Sequence, residues 1–245
     1  MRLKVLVVGA SSGVGLQVVK SLLEAEEKYE VLALVRSQER ASKAIGPDSS
    51  KVKFVHGDIT KKETLVPACQ GVDAVVCAVG AQAGWRFPGW NQNTPKYVDY
   101  LGSQNLIQAA VEAKVPKFVY VSSVNITRPF SFIAMLLNTL FGRVLHWKLK
   151  AEKALRKEYK THDDLAYYIV RPGGLNNNEG GKSGIRIEQG DIGTGNIPRR
   201  DVATVVLACV DGASKPNVTF EIYSDKKDEV KDLSELSTLL PDELQ

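Results

Sequence analysis

Short apolar runs alternate with helical periodicities along most of this chain. LKVLVV comes first, bounded by a glycine, and Val18, Val19, Leu22 and Leu23 follow it at helical spacing. EVLALV is a second run and VKFVHGD a third. The third leads into TKKETL, where Thr60 and Glu63 have the spacing of a capping box. VDAVVCAVG is a fourth run, and a long helical stretch from Pro95 to Ala113 follows. KFVYVSS and LAYYIVRPGG are the fifth and sixth. Continuously apolar strands separated by helices imply a parallel sheet covered on both faces. The βαβαβ order predicts a doubly wound, Rossmann-like α/β fold, and with no repeat or low-complexity linker the chain reads as one domain, 1–245. The last third is less regular: a polar Gly/Asn loop from Asn176 to Gly184, a helix after Asp201, a strand near NVTFEIY and a final helix.

The first strand-to-helix turn carries candidate chemistry. In VLVVGASSGVGLQVVKSLL, residues 5–23, Gly9, Gly13 and Gly15 lie between a buried strand and a helix. A glycine at the strand end permits a tight turn. One at the helix start lets a phosphate approach the backbone, and one in the first helical turn lets the helix pack on the sheet. A helix N-terminus adds free N–H groups and the positive end of its dipole. The turn, Gly9, Ser11, Ser12, Gly13, Val14 and Gly15, is therefore expected to hold the pyrophosphate of a dinucleotide.

Composition narrows the rest. The 245 residues carry a net charge of +4 with both signs interspersed, which does not imply nucleic acid. The Lys-rich run WKLKAEKALRKEYK reads as a solvated helix face. Cys69, Cys77 and Cys209 form no CxxC pair, and no metal site is expected; an odd, unpaired count fits a reducing compartment. No apolar stretch reaches the ~18 residues that suggest a membrane span. The chain opens directly on a strand, so the expected location is cytoplasmic, with a chloroplast-like organelle as the alternative for a processed form.

The Gly-x3-Gly-x-Gly spacing resembles that of the short-chain dehydrogenase/reductase family, and the resemblance covers most of the chain. In that family the end of the second strand reads the adenosine ribose. LALVRS places Arg36 there and no acid, and a guanidinium suits a 2′-phosphate, so the resemblance implies NADP(H) over NAD(H). GDIT resembles the segment that follows the third strand in family members, which implies that Asp58 and Ile59 lie beside the adenine. Ala78, Val79 and Gly80 resemble the small-residue loop under the cofactor ribose. VDYLGSQNLIQAA resembles the long interface helix, VYVSSV the fifth strand with its serine, Ser123, and RPGGL (Pro172, Gly173, Gly174) the loop beside the nicotinamide. RRDVA resembles a late helix start with Asp201 as its N-cap. The combination is similar to the atypical branch, among small NAD(P)H-binding proteins of plants and cyanobacteria and flavin/biliverdin-reductase-like members.

The main branch carries Tyr and Lys as YxxxK. Here HWKLKAE puts Lys150 at the expected lysine and His146 four residues earlier, on the same helical face. Lys150 is implied to bind the ribose. His146 is either a general acid or a filler of the space left by Tyr; Trp147 and Lys148 take these places if the helix is rotated. The preceding run, PFSFIAMLLNTLFGRVLHW, gathers Ser131, Asn138, Thr139, Gly142 and Arg143 into one stripe, all else being apolar. It reads as a helix over 130–145 that either covers the substrate cleft or docks on a partner or membrane surface. Trp85, Phe87 and Trp90 are candidates for the opposite wall, and the substrate or partner region is expected from 83–98, 126–146 and 174–200. Two functions fit: an NADP(H)-dependent oxidoreductase lacking the usual Tyr, passing hydride to a flavin- or quinone-like acceptor, or a non-catalytic NADP(H)-binding scaffold, a redox-sensing or assembly subunit.

Overall fold

A computed structural model describes residues 1–81, 93–225 and 233–242. The chain runs through β1 (Leu3–Val8), α1 (Gly13–Glu24), β2 (Tyr29–Val35), α2 (Gln38–Ile45), β3 (Lys53–His56), α3 (Leu65–Cys69) and β4 (Ala74–Cys77). A π-helical segment, Lys96–Gly102, leads into α4 (Ser103–Glu112) and then β5 (Lys117–Val121). The second half holds α5 (Phe132–Leu140), α6 (Val144–Tyr159), β6 (Ala166–Pro172), β7 (Gly174–Asn176), β8 (Gly184–Glu188), β9 (Asn196–Pro198), α7 (Arg199–Asp211) and β10 (Val218–Asp225).

Eight strands form one sheet in the order β3-β2-β1-β4-β5-β6-β10-β8. All neighbours are parallel except β8, which pairs antiparallel with β10. β7 and β9 make a separate two-stranded ribbon. Strand alternation assigns the two faces: Val5 and Val7 pack with Val18, Leu22, Val202 and Val206 of α1 and α7. Leu6 and Val8 pack with Leu106, Ile107 and Leu155 of α4 and α6. The Rossmann-like single domain expected from the pattern is what the chain forms. The strand order reverses between β1 and β4, and a ligand is expected outside the carboxyl ends of the strands at that point.

Several local expectations are corrected. No capping box forms at Thr60: its backbone N–H and hydroxyl both donate to Asp58 Oδ1, at 2.9 and 2.8 Å. Asp201 is not an N-cap. α7 begins two residues earlier behind Pro198, and buried Asp201 accepts the Gly181 N–H at 2.7 Å. The apolar run after Pro129 is two helices, because Gly142 and Arg143 both take left-handed backbone, each at φ +62°, between α5 and α6. Two of its polar residues serve the helix ends. Ser131 caps α5 by accepting the Ala134 N–H, and Asn138 Oδ1 accepts the N–H groups of Leu145 and His146. The final helix is a 3₁₀ segment, Leu233–Thr238. α6 is more than a solvated face, since Lys148 and Glu152 are buried on its inner side.

Candidate functional site

β1 ends at Val8, and Gly9 turns the chain at φ +97°. A Cβ there would lie 2.5 Å from the Ala78 carbonyl oxygen, so only glycine lets the turn approach the end of β4. A Cβ on Gly15 would meet the Gly9 carbonyl oxygen at 2.3 Å, so α1 sits directly on the turn. Gly13 opens α1 at φ +57° with nothing within 4 Å of its Cβ position. Ser12, the N-cap, makes no side-chain capping bond, leaving the first helical N–H groups to an outside acceptor.

A cleft of about 570 Å³ opens from this turn. Gly9, Ser11, Ser12, Arg36, Asp58, Ile59, Ala78, Val79 and Gly80 all line it. Val14 points into the core beneath it. Arg40, from the first turn of α2, lines the same end as Arg36; the sequence reading missed it, although Ser37 capping Arg40's N–H marks the helix start. Arg36 donates to Asn93 Oδ1 at 3.0 Å. Burial would raise the Asp58 carboxyl, but the Thr60 bonds and the Arg36 charge hold it below its usual value. That end of the cleft is therefore cationic with one structurally engaged carboxylate.

Behind the Val79–Ala81 lining, the register of α6 decides which lysine turns inward. Lys148 is 9% exposed. Its ammonium donates to the carbonyls of Val79, at 3.2 Å, and Val121, at 3.4 Å, and stands 3.1 Å from Asp99 Oδ1. The last approach is an ion pair by distance, off the hydrogen-bonding direction. Asp99, fully buried in the π-helical segment, accepts the Ala81 N–H at 3.0 Å through Oδ2. Lys148 thus ties β4, β5 and the π-helical segment together beneath the cleft. Lys150 does not reach this region. Two residues further on a helix is ~200° around the axis, and Lys150 is exposed, its ammonium over the rings of Trp147 and Tyr100 at 4.9 and 5.6 Å. His146 shares that outer flank, edge-on to Trp147. Burial first, then the charges of Arg143, Lys150 and Lys153, lowers its pKa.

The residue one turn before Lys148 is Val144. The Tyr120 ring lies 5.5 Å from Lys148 Nζ, but this tyrosine is buried, and its hydroxyl donates to the Asp99 carbonyl at 3.4 Å. Burial pushes its pKa well above the ordinary value. Ser123 donates to the Val124 carbonyl at 3.2 Å, while the buried hydroxyl of Ser122, one residue closer to β5, has no protein partner among the described residues. Pro172, Gly173 and Gly174 stand off the cleft lining. The Pro172 carbonyl accepts the Val124 N–H, and a Cβ on Gly173 would meet the Gly195 carbonyl oxygen at 2.4 Å. Trp85, Phe87 and Trp90 lie outside the described residues. α5 is not a mostly buried helix: Phe132 is 80% exposed, with Met135, Leu136 and Leu140 beside it, and Phe130 just before it is 91% exposed. Among the described residues no helix is long and apolar enough to cross a membrane.

A doubly wound sheet with a glycine turn, an uncapped helix N-terminus and a cationic pocket past the second strand defines a pyridine-nucleotide-binding protein of Rossmann type. The sequence profile of the NAD(P)H-binding family matches residues 9–213, and the chain belongs to that family, on its atypical short-chain dehydrogenase/reductase side. It is 30% identical to sanguinarine reductase of Eschscholzia californica over 91% of this chain and 89% of that protein. It is 35% identical to chloroplastic TIC 62 of Arabidopsis thaliana over 70% of this chain but only 27% of that protein, so it spans about a quarter of TIC 62. An oxidoreductase from Lactococcus lactis superposes with a TM-score of 0.71 at 24% identity, covering 91% of this chain and 92% of that one, a likeness of fold.

Proposed function

We propose that the protein is an NADP(H)-dependent oxidoreductase that passes hydride to a small conjugated acceptor, flavin- or quinone-like. The observation that carries this reading is the pairing of two arginines that line the cleft with a buried lysine behind its Val79–Ala81 lining, where valine stands one helical turn before the lysine. The residues fit the cofactor. The Gly9–Gly15 turn takes a pyrophosphate, and Arg36 with Arg40 takes a 2′-phosphate as a charge-assisted pair. The reduced nicotinamide supplies the hydride when bound. The chain's own part is positional and electrostatic. Lys148 and Asp99 fix the Val79–Ala81 floor and keep one ammonium beneath it.

Proton donation separates the acceptor classes. Tyr120 is buried and engaged, and His146 is on the outer flank with a lowered pKa. A ketone needs a proton on its oxygen as hydride arrives; a flavin or quinone takes its proton from water. NADPH consumption with FMN, 1,4-naphthoquinone and a ketone tests the proposal. Turnover with the first two and not the third is expected, and ketone reduction by the unmodified protein overturns the acceptor assignment.

A second reading, a non-catalytic NADP(H)-binding scaffold or assembly subunit, is favoured by the exposed apolar side of α5 and by the likeness to TIC 62. In it, 130–145 docks a partner protein. The TIC 62 likeness also supports a chloroplast location over the cytoplasm.

A further inference from the structure

Away from the cleft, one face of the molecule is apolar and uncovered. α5 carries no charged residue. Its inner side packs Ala134 with Ile126 and with Leu145 of α6, and Leu137 joins them. Its outer side presents Phe132, Met135, Leu136 and Leu140, all exposed. Phe130 and Phe141 extend this surface at the two ends of the helix. Arg128 donates to the Ile192 carbonyl at 3.4 Å, which brings exposed Ile192 near the Phe130 end. A helix that is apolar all round is ordinarily buried, and a contiguous exposed patch of this kind marks a contact surface.

The charges around the patch say what would cover it. Between Glu112 and Glu152 the chain holds no Asp or Glu, and every full charge there is a Lys or Arg. Arg128 and Arg143 flank α5 and are exposed. Past Arg143, His146, Lys150, Lys153 and Lys157 recur every three or four residues, so they share one side of α6, and the three lysines are exposed. Glu152 adds no negative charge to this surface, because it is buried under a forked pair of bonds from Arg171, at 3.0 and 2.7 Å. The packing of Ala134 on Leu145 sets the apolar face and the basic ridge side by side. Phe130 and Phe132 are too exposed to line a groove. An anionic bilayer offers apolar depth to such side chains and phosphate to a basic rim. A second copy of the chain would instead bring two basic rims together.

We propose that the outer side of α5, with the basic ridge of α6, docks on an anionic lipid surface. Phe130, Phe132 and Leu136 enter the boundary between headgroups and acyl chains, while Arg143, Lys153 and Lys157 meet lipid phosphates. The chain lies on the bilayer in this arrangement, and no described helix is long and apolar enough to cross it. The proposal gives the face an occupant other than the protein of the scaffold reading, and it holds whether or not the cleft passes hydride. The test is flotation of the whole chain with phosphatidylcholine vesicles, with and without about one-third phosphatidylglycerol, at low salt and in about 1 M salt. Binding to the anionic vesicles at low salt is expected, about tenfold weaker or more on phosphatidylcholine alone and in high salt. Phe130→Ser with Phe132→Ser should weaken that binding about tenfold or more, and Lys153→Gln with Lys157→Gln about tenfold. Both double variants should keep the parent's melting temperature and its NADPH affinity within about twofold, as surface changes do. Unmodified protein that floats with neither vesicle overturns the proposal, as does binding that either pair of substitutions leaves unchanged. Self-association that the Phe substitutions abolish, without vesicle binding, assigns the face to a second copy and overturns it too.

Discussion

At the scale of single residues, two positions on one helix separate site from surface. Lys148 is held by two carbonyls and a carboxylate, whereas Lys150 lies over two rings on the outer flank. Lys148→Met is expected to lower kcat/KM for quinone reduction by roughly 100-fold, the scale of misplacement at a reacting centre. Lys150→Met stays within about twofold, as for a surface change. Removing Lys148 also strands Asp99 as a buried, uncompensated charge, at about 3–5 kcal/mol of stability. Adding Asp99→Asn to that variant should recover part of the melting temperature, and no recovery would mean the pair is not coupled. His146 gives a pH signature. Its folded pKa is lowered below 6.5, so the unfolded chain takes up the proton first as pH falls. Stability is then intact above about pH 6.5 and declines as pH drops from there through the folded value. His146→Gln should flatten that acid-side decline in urea titrations; identical slopes would place His146 in a solvent-like environment.

At the scale of elements, the first turn divides its labour among glycines. Gly13→Val meets no atom at Cβ and costs the ~1–2 kcal/mol of left-handed backbone, so the fold survives while both cofactors lose affinity. Gly15→Val drives a side chain into the Gly9 carbonyl and should unfold the domain or abolish its expression. Melting curves and calorimetry on the two variants separate the roles; cofactor binding retained in Gly13→Val makes the turn merely structural. The same turn shows what the sequence discloses. Six of the seven parallel strands of the large sheet are legible as continuous apolar runs flanked by glycine or polar residues, and the seventh, β10, as NVTFEIY. β8 is not, because an antiparallel strand at the far edge of the sheet, GIRIE, mixes polar and apolar residues at a length any loop shares. The α5–α6 break had one signal, Gly142, which reads as part of the polar stripe when the run is taken as one helix; Arg143 in left-handed backbone adds none, and from that break the register of α6 follows. Counting YxxxK from His146 selected Lys150; only the packed face of Leu145, Lys148, Ala151 and Glu152 shows which lysine turns inward. The bonds that Asn125 and Thr127 make to buried Asp191 span 66 and 64 residues and leave no local pattern at all.

At the scale of the whole molecule, the sheet presents its carboxyl ends as one surface, where Arg36 and Arg40 line a single cleft and Lys148 holds the Val79 carbonyl behind its lining. The exposed side of α5 lies on a separate element and leaves that cleft unobstructed. The central claim is that this cleft selects NADP(H) and delivers its hydride, and the most direct test is the ratio of kcat/KM for NADPH and NADH with 1,4-naphthoquinone on the unmodified protein. A charge-assisted phosphate contact contributes about 1.5–3 kcal/mol, so the account predicts a preference of roughly tenfold or more for NADPH, reversed or erased in Arg36→Asp. Equal efficiencies for the two cofactors, or NADPH bound tightly and never consumed, would contradict it.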